Sequence, residues 1–146
     1  MSNKKTGNDF EAWFAGKLYE SGFWVHRFQD NQNGQPCDLI AAQDGETYLF
    51  DCKSCEKDSF RLSRMEENQR NAMEQFHQAG NRRGMFAIRF PEGLIYLVDY
   101  QVMENIREQG RKRIDKKEIR IYGRTFESWL EDFKILHQNR RQECIS

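Results

Sequence analysis

Apolar residues return every third or fourth position at Phe10, Trp13, Phe14 and Leu18, and Gly22 follows, so the spacing predicts an amphipathic helix over residues 8–21. The period then drops to two. Phe23 to Phe28 reads as a strand, and Gln29 to Gln35, rich in Asn, Gln and Gly, as a polar loop. Two further runs, residues 38–43 and 46–53, flank Asp44-Gly45, a dipeptide that favours the type I′ hairpin turn because it tolerates positive φ at both central positions. With those two residues as the loop, Gln43 faces Glu46, and counting outward sets Asp38 opposite Asp51. Ser63 to Glu66 has capping-box spacing and predicts a helix reaching Ala79, with Gly80 as its stop and Met65, Gln69, Ala72, Met73 and Phe76 along its inner face. Residues 85–90 and 94–98 read as strands turned by Pro91-Glu92-Gly93. Asp99 is an expected N-cap for a helix carrying Val102, Met103 and Ile106, and Phe126, Trp129, Leu130 and Phe133 mark a last helix whose tail beyond His137 is expected to fray.

Helix, three strands, helix, two strands and helices make an α/β order. The central strands are apolar on both sides of their alternation, which predicts a mixed sheet of about five strands flanked by helices on both faces. A chain of 146 residues without repeats or a long linker is expected to form one domain over residues 1–146. Its apolar runs, such as Gly84 to Ile88 and Gly93 to Val98, fall far short of the ~20 residues that span a bilayer, and no apolar stretch follows the charged N-terminus, so a cytoplasmic protein is expected. Cysteines at 37, 52, 55 and 144 show no disulfide spacing, and free thiols are expected. Lys and Arg balance Asp and Glu at 23 each, so net charge announces no partner. The distribution is less even: Arg107, Arg111, Lys112, Arg113, Lys116, Lys117, Arg120 and Arg124 outnumber the acids between them, giving either a local positive surface or an ordinary solvated face.

The predicted hairpin carries the candidate chemistry. Opposed residues have Cβ atoms about 4.5–5.5 Å apart, and two carboxylates so placed repel each other unless something positive sits between them. Lys53 lies two residues past Asp51, so alternation returns it to the same face. Two acids and an ammonium at the end of an apolar hairpin form a hard oxygen site suited to Mg²⁺, with the Cys52 carbonyl beside them and phosphodiester hydrolysis as the reaction class. The ordinary alternative is an exposed cross-strand ion cluster. Gln69 falls on the apolar stripe of its helix, where a buried amide must find partners, and a neighbouring active-site group would supply them. Cys52-Lys-Ser-Cys55 has the spacing of half a zinc site, but no second pair completes it and core thiols are the simpler reading. The three histidines are scattered, and Trp13, Trp24 and Trp129 sit at core spacing, which favours packing over base stacking.

Pro36-Cys37-Asp38 followed by Asp51-Cys52-Lys53 resembles the PD-(D/E)XK signature of the restriction-endonuclease-like nucleases, with Cys37 inserted after the proline. Within that superfamily the chain most resembles the RecU-type Holliday junction resolvases. Thr6-Gly7 and Phe10-Glu11 resemble the N-terminal helix motif, Ser59-Phe-Arg-Leu62 and Asn68-Gln69 the segment with the family's helix-borne Gln, and Gly110 to Ile119 a basic stretch. The long stalk that RecU-type enzymes insert between their first two core strands is replaced by Gln29 to Cys37 alone, a compactness similar to the archaeal Hjc-type resolvases.

The resemblance implies a Mg²⁺-dependent endodeoxyribonuclease, with Mn²⁺ able to substitute, that cuts four-way junctions as a homodimer. It implies catalytic roles for Glu11, Asp38, Asp51, Lys53 and Gln69, and a metal held by Asp38, Asp51 and the Cys52 carbonyl, with Glu11 acting through water. For Glu11 a local reading stands beside it, since Asn8 to Glu11 also has capping-box spacing. Candidate phosphate contacts are Lys57, Arg61, Arg82, Arg83, Arg111, Lys112, Arg113, Lys116 and Lys117. The alternatives are a nuclease of the same fold acting on flapped, nicked or linear DNA, and a binding protein without catalysis, the latter including a zinc-stabilised module.

Overall fold

The computed structural model describes residues 3–29 and 35–145, with side chains described for Gly7, residues 9–29 and residues 35–139. Most of the polar loop expected over 29–35, and the side chains of Thr6, Asn8 and Cys144, lie outside the described residues. Helix α1 spans Asn3–Glu20, then come β1 (Trp24–Arg27), β2 (Leu39–Gln43), β3 (Glu46–Ser54) and β4 (Ser59–Arg61). A short 3-10 turn over Leu62–Arg64 leads to α2 (Glu67–Gln78), β5 (Met85–Arg89), β6 (Ile95–Asp99) and α3 (Tyr100–Glu108). The chain continues as β7 (Arg113–Asp115), α4 (Lys116–Tyr122), β8 (Arg124–Thr125) and α5 (Phe126–Ile145).

Six strands form one mixed sheet in the order β1-β2-β3-β5-β6-β8, one more than expected because β8 adds a two-residue margin, and β4 pairs with β7 as a separate ribbon. The β2–β3 turn is type I′ as the dipeptide requires, with φ of 51° at Asp44 and 82° at Gly45, and Gln43 faces Glu46. β3 and β5 run parallel, with α2 in the crossover between them.

Both faces of the sheet are covered. Phe50, Leu39, Ala41, Ala87 and Leu97 pack with Phe10, Phe14 and Leu18 of α1 and Phe126 and Phe133 of α5. The opposite face presents Leu49, Phe86, Ile88 and Val98 to Met73 of α2, Met103 and Ile106 of α3 and Ile119 of α4. Burying six phenylalanines completely accounts for much of the hydrophobic drive, at about 1.5–3 kcal/mol for each such side chain.

Three sequence expectations need correction. α1 starts five residues earlier than residue 8, so Asn8 lies within the helix and cannot be its N-cap. α2 starts at Glu67 with Glu66 and Gln69 as its capping box, because Leu62 and Arg64 are tied down as a turn by bonds from Leu62 N–H to the Lys112 carbonyl and from Arg64 to the Ser54 carbonyl. α5 is helical through Ile145, and the His137 ring upon it is buried, stacks on Phe133 at 3.8 Å and lies 3.4 Å from Asp44 at the hairpin turn. Of the tryptophans, Trp129 packs as expected, against Phe23, Tyr48, Phe50 and Phe133, Trp13 meets Phe126 edge-on at 6.2 Å but is 47% exposed, and Trp24 is 61% exposed.

Candidate active site

β3 lies inside the sheet between β2 and β5, which is why Asp51, whose backbone pairs with Phe86, is completely buried. A carboxylate so placed needs partners, and it has them. Lys53 Nζ stands 2.9 Å from its Oδ2. Gln69 Nε2 donates to its Oδ1 at 3.0 Å. The same amide accepts at Oε1 from the Glu66 N–H at 3.2 Å, so one buried side chain satisfies both the helix start and the acid. The apolar stripe of α2 is therefore interrupted where the helix begins against β3.

Asp38 arrives by a slightly different route from the one counted outward from the turn. The ladder holds the expected register through Leu39 opposite Phe50, and Asp38 sits one residue past it. Its N–H donates to the Phe50 carbonyl at 3.1 Å and its Oδ2 accepts from the Cys52 N–H at 2.7 Å. The carboxyl nevertheless comes within hydrogen-bonding reach of Asp51. N–H and C=O of a strand residue point to the same side, so the Cys52 carbonyl is also directed toward the end of β2 where Asp38 stands.

Glu11 joins from α1. Its carboxyl meets Asp38 and accepts two hydrogen bonds from Arg27 of β1, the Nε bond being 2.9 Å. Its partners are thus on other elements, and the local capping reading fails with the earlier helix start. Arg27 was not singled out in the sequence, because its partner lies 16 residues upstream and no periodicity connects a strand arginine to a helix acid across that gap.

Electrostatically the cluster is short of positive charge. Burial, then the Asp51 charge, pushes the Asp38 carboxyl up to about 6, against the Cys52 N–H and Lys53. Burial raises Asp51 as well, opposed by Lys53, and raises Glu11, opposed by Arg27. Among the described residues no three His, Cys, Asp or Glu side chains stand as a ready-made cation cage, and the acids instead close on one another. The donor set of carboxylates and a main-chain carbonyl still fits a hard divalent cation that keeps several waters, since such an ion offsets the cost of burying these acids together.

The thiols do not fit zinc. Among the described residues no three His, Cys, Asp or Glu side chains gather around Cys37, Cys52 and Cys55 to complete a site, and Cys52 packs among the apolar residues on the sheet face away from Asp51; burial raises all three thiols above their ordinary range. The three are free.

The expected phosphate contacts separate into two groups. Pairing of β4 with β7 sets Arg61 directly opposite Arg113, and with Lys112, Arg111 and Arg107 they line a concavity of about 560 Å³. Arg107 and Arg111 are ion-paired with Glu104 and Glu118, whereas Arg61 and Lys112 form no ion pair with a described residue. Lys57 and Lys117 are exposed, and Lys116 pairs with Glu92. Arg82 and Arg83 are elsewhere: they pair with Glu46 and Asp99, and Arg82 N–H bonds the Thr47 carbonyl at the hairpin-turn end. From Glu46 to Asp51 is five strand residues, or about 17 Å, so the structure does not bring Arg82 to the acids.

Set beside known proteins, residues 28–134 match the family model for RecU, recombination protein U. The fold is similar to that of Hjc, a Holliday junction resolvase from the archaeal hyperthermophile Archaeoglobus fulgidus, at 19% identity and a TM-score of 0.65 over 86% of this chain and 96% of that one. It is also similar to the bacterial homing endonuclease I-Ssp6803I, at 17% identity and a TM-score of 0.56 over 99% of both chains. No curated protein matches the sequence. The restriction-endonuclease-like α/β fold is thereby established.

Proposed function

This chain belongs to the RecU family of recombination proteins, and from that premise we propose that it is a metal-dependent DNA endonuclease acting on four-way junctions. The observation that carries the reading is the convergence of Glu11, Asp38, Asp51, Lys53 and Gln69 from four separate elements and their flanks onto one buried spot. In this reading Asp38, Asp51 and the Cys52 carbonyl would hold Mg²⁺ or Mn²⁺, and Glu11 would assist through a water. Bound there, the cation would neutralise charge on the phosphodiester and lower the pKa of a coordinated water.

The chain's own groups supply the rest. Gln69 fixes the Asp51 carboxylate by holding Oδ1, leaving Oδ2 turned to Lys53. Lys53 presents N–H donors to the attacking water or to a phosphate oxygen, and its charge is held in place by Asp51. Arg27 opposes the burial that raises Glu11 and holds its carboxyl in place beside Asp38. The basic ribbon of Arg61, Lys112 and Arg113 holds duplex phosphates without reading sequence. A homodimer with two equivalent sites matches the two-fold symmetry of a four-way junction, and Hjc, whose fold this chain shares, is named a Holliday junction resolvase. Against the non-catalytic alternative stands the cost of the cluster, since well-packed apolar residues in its place would serve stability as well or better.

The deciding experiment is cleavage of junction, flap and linear DNA with and without Mg²⁺, beside Asp51→Asn and Lys53→Ala. Metal-dependent cutting that favours the junction, reduced at least ~100-fold by either substitution, is the expected outcome. Equal cutting of all three substrates removes the junction claim and leaves a general nuclease. Absence of metal-dependent cutting removes the enzyme.

A further inference from the structure

Among the described residues β1 forms one margin of the large sheet and is paired only with β2. Its side chains alternate between faces. Val25 and Arg27 stand opposite Ala41 and Leu39 and turn toward α1, where Val25 packs with the Phe14 and Phe50 cluster and Arg27 holds Glu11. Trp24 and His26 therefore turn to the other face, the one that carries Asp51 and Lys53. Phe28 continues the row, with its N–H bonded to the Asp38 carbonyl at 2.9 Å. The Trp24 and His26 rings are within 14° of parallel with centroids 6.2 Å apart, and Phe28 meets His26 edge-on at 5.4 Å. Phe28 packs against the core, but Trp24 is 61% exposed and His26 is exposed beside it.

Leaving a tryptophan in water forgoes the burial of one of the largest apolar side chains, and here it is done in a row with aligned rings that leads to the acids. We propose that Trp24 and His26 form a stacking platform for unpaired nucleobases of the DNA strand that enters the Asp38–Asp51 site. Flat ring faces recognise bases of any sequence once these are unstacked, whereas a closed duplex offers no free base faces to them. The occupant follows from continuity. From Trp24 to Phe28 the row covers about 14 Å of strand, and its inner end is the residue bonded to Asp38, so bases lying on it set their sugar-phosphate chain at the acids. The destination of the strand rests on the nuclease reading above, while the platform itself requires only that the protein bind DNA.

The test uses the full chain carrying Asp51→Asn, so that nothing is cut, and compares binding of oligothymidylate with a blunt duplex of equal length. Adding Trp24→Ala is expected to weaken oligothymidylate binding roughly five- to hundred-fold, to change duplex binding less than twofold, and to abolish tryptophan quenching by the single strand. Trp24→Phe keeps most of the affinity, and an unchanged melting temperature excludes misfolding. Equal losses on both ligands, or none, overturn the platform. So does a shifted monomer–dimer equilibrium with single-strand affinity intact, which would make the row a contact between copies of this chain. If the unsubstituted protein cuts no DNA yet binds single strands through Trp24, the enzyme reading falls and the platform stands.

Discussion

At the scale of single residues, the decisive feature is a carboxyl held where it prefers to be neutral. Burial, and then the Asp51 charge, pushes the Asp38 carboxyl up to about 6 from its ordinary 3.8. A raised folded pKa stabilises the protonated form, so this contribution is complete below about pH 3.8 and is lost as pH rises through about 6. In metal-free buffer, Asp38→Asn should therefore gain about 1–3 kcal/mol over the parent at pH 7.5 and lose that advantage near pH 4, as read from denaturant midpoints at the two pH values. Added Mg²⁺ should raise the parent's melting temperature at pH 7.5 and do so less at pH 5, where protons compete for the same oxygens. A variant profile parallel to the parent's across this range would refute the burial argument.

Among the elements, the β2–β3 hairpin does most to assemble the site, since it puts Asp38 at the mouth of β2 and Asp51 inside β3. Its turn depends on positive φ at two adjacent residues, and Gly45 at 82° is the one that a β-branched side chain tolerates least. Gly45→Val is expected to cost about 1–2 kcal/mol, lowering the urea midpoint without changing the slope of the transition. A neutral result would mean that the register is set by core packing alone. α2 contributes differently: its capping box and its contact with Asp51 are made by the same Gln69, so the start of the helix and the geometry of the acid are one event.

Across the whole molecule, charge matters by position, since the totals cancel. The ribbon of β4 and β7 gathers Arg61, Lys112 and Arg113 from segments some fifty residues apart, while Arg82 and Arg83 are spent on Glu46 and Asp99. Replacing the first three by Ala should flatten the dependence of log affinity on log salt by about 0.9 for each phosphate that is no longer neutralised, measured by titrating duplex DNA at several salt concentrations. Arg82→Ala with Arg83→Ala should leave that slope unchanged. The reverse pattern would move the DNA path to the hairpin-turn end.

What the chain by itself determined was everything carried by local periodicity and turn chemistry: the Asp44-Gly45 turn with its register, the stripe of α2 with Gln69 inside it, the Asp99 cap, and the shared face of Asp51 and Lys53. Those signals are short-range, so they survive without neighbours. Tertiary structure alone decided the pairing of β4 with β7, the ion pair between Glu11 and Arg27, the offset of Asp38 from strict opposition, the continuation of α5 over the hairpin turn, and the exposure of Trp24. Each of these depends on which distant segment comes to lie alongside, and a three-residue strand or an aromatic at core spacing carries no record of whether anything will cover it.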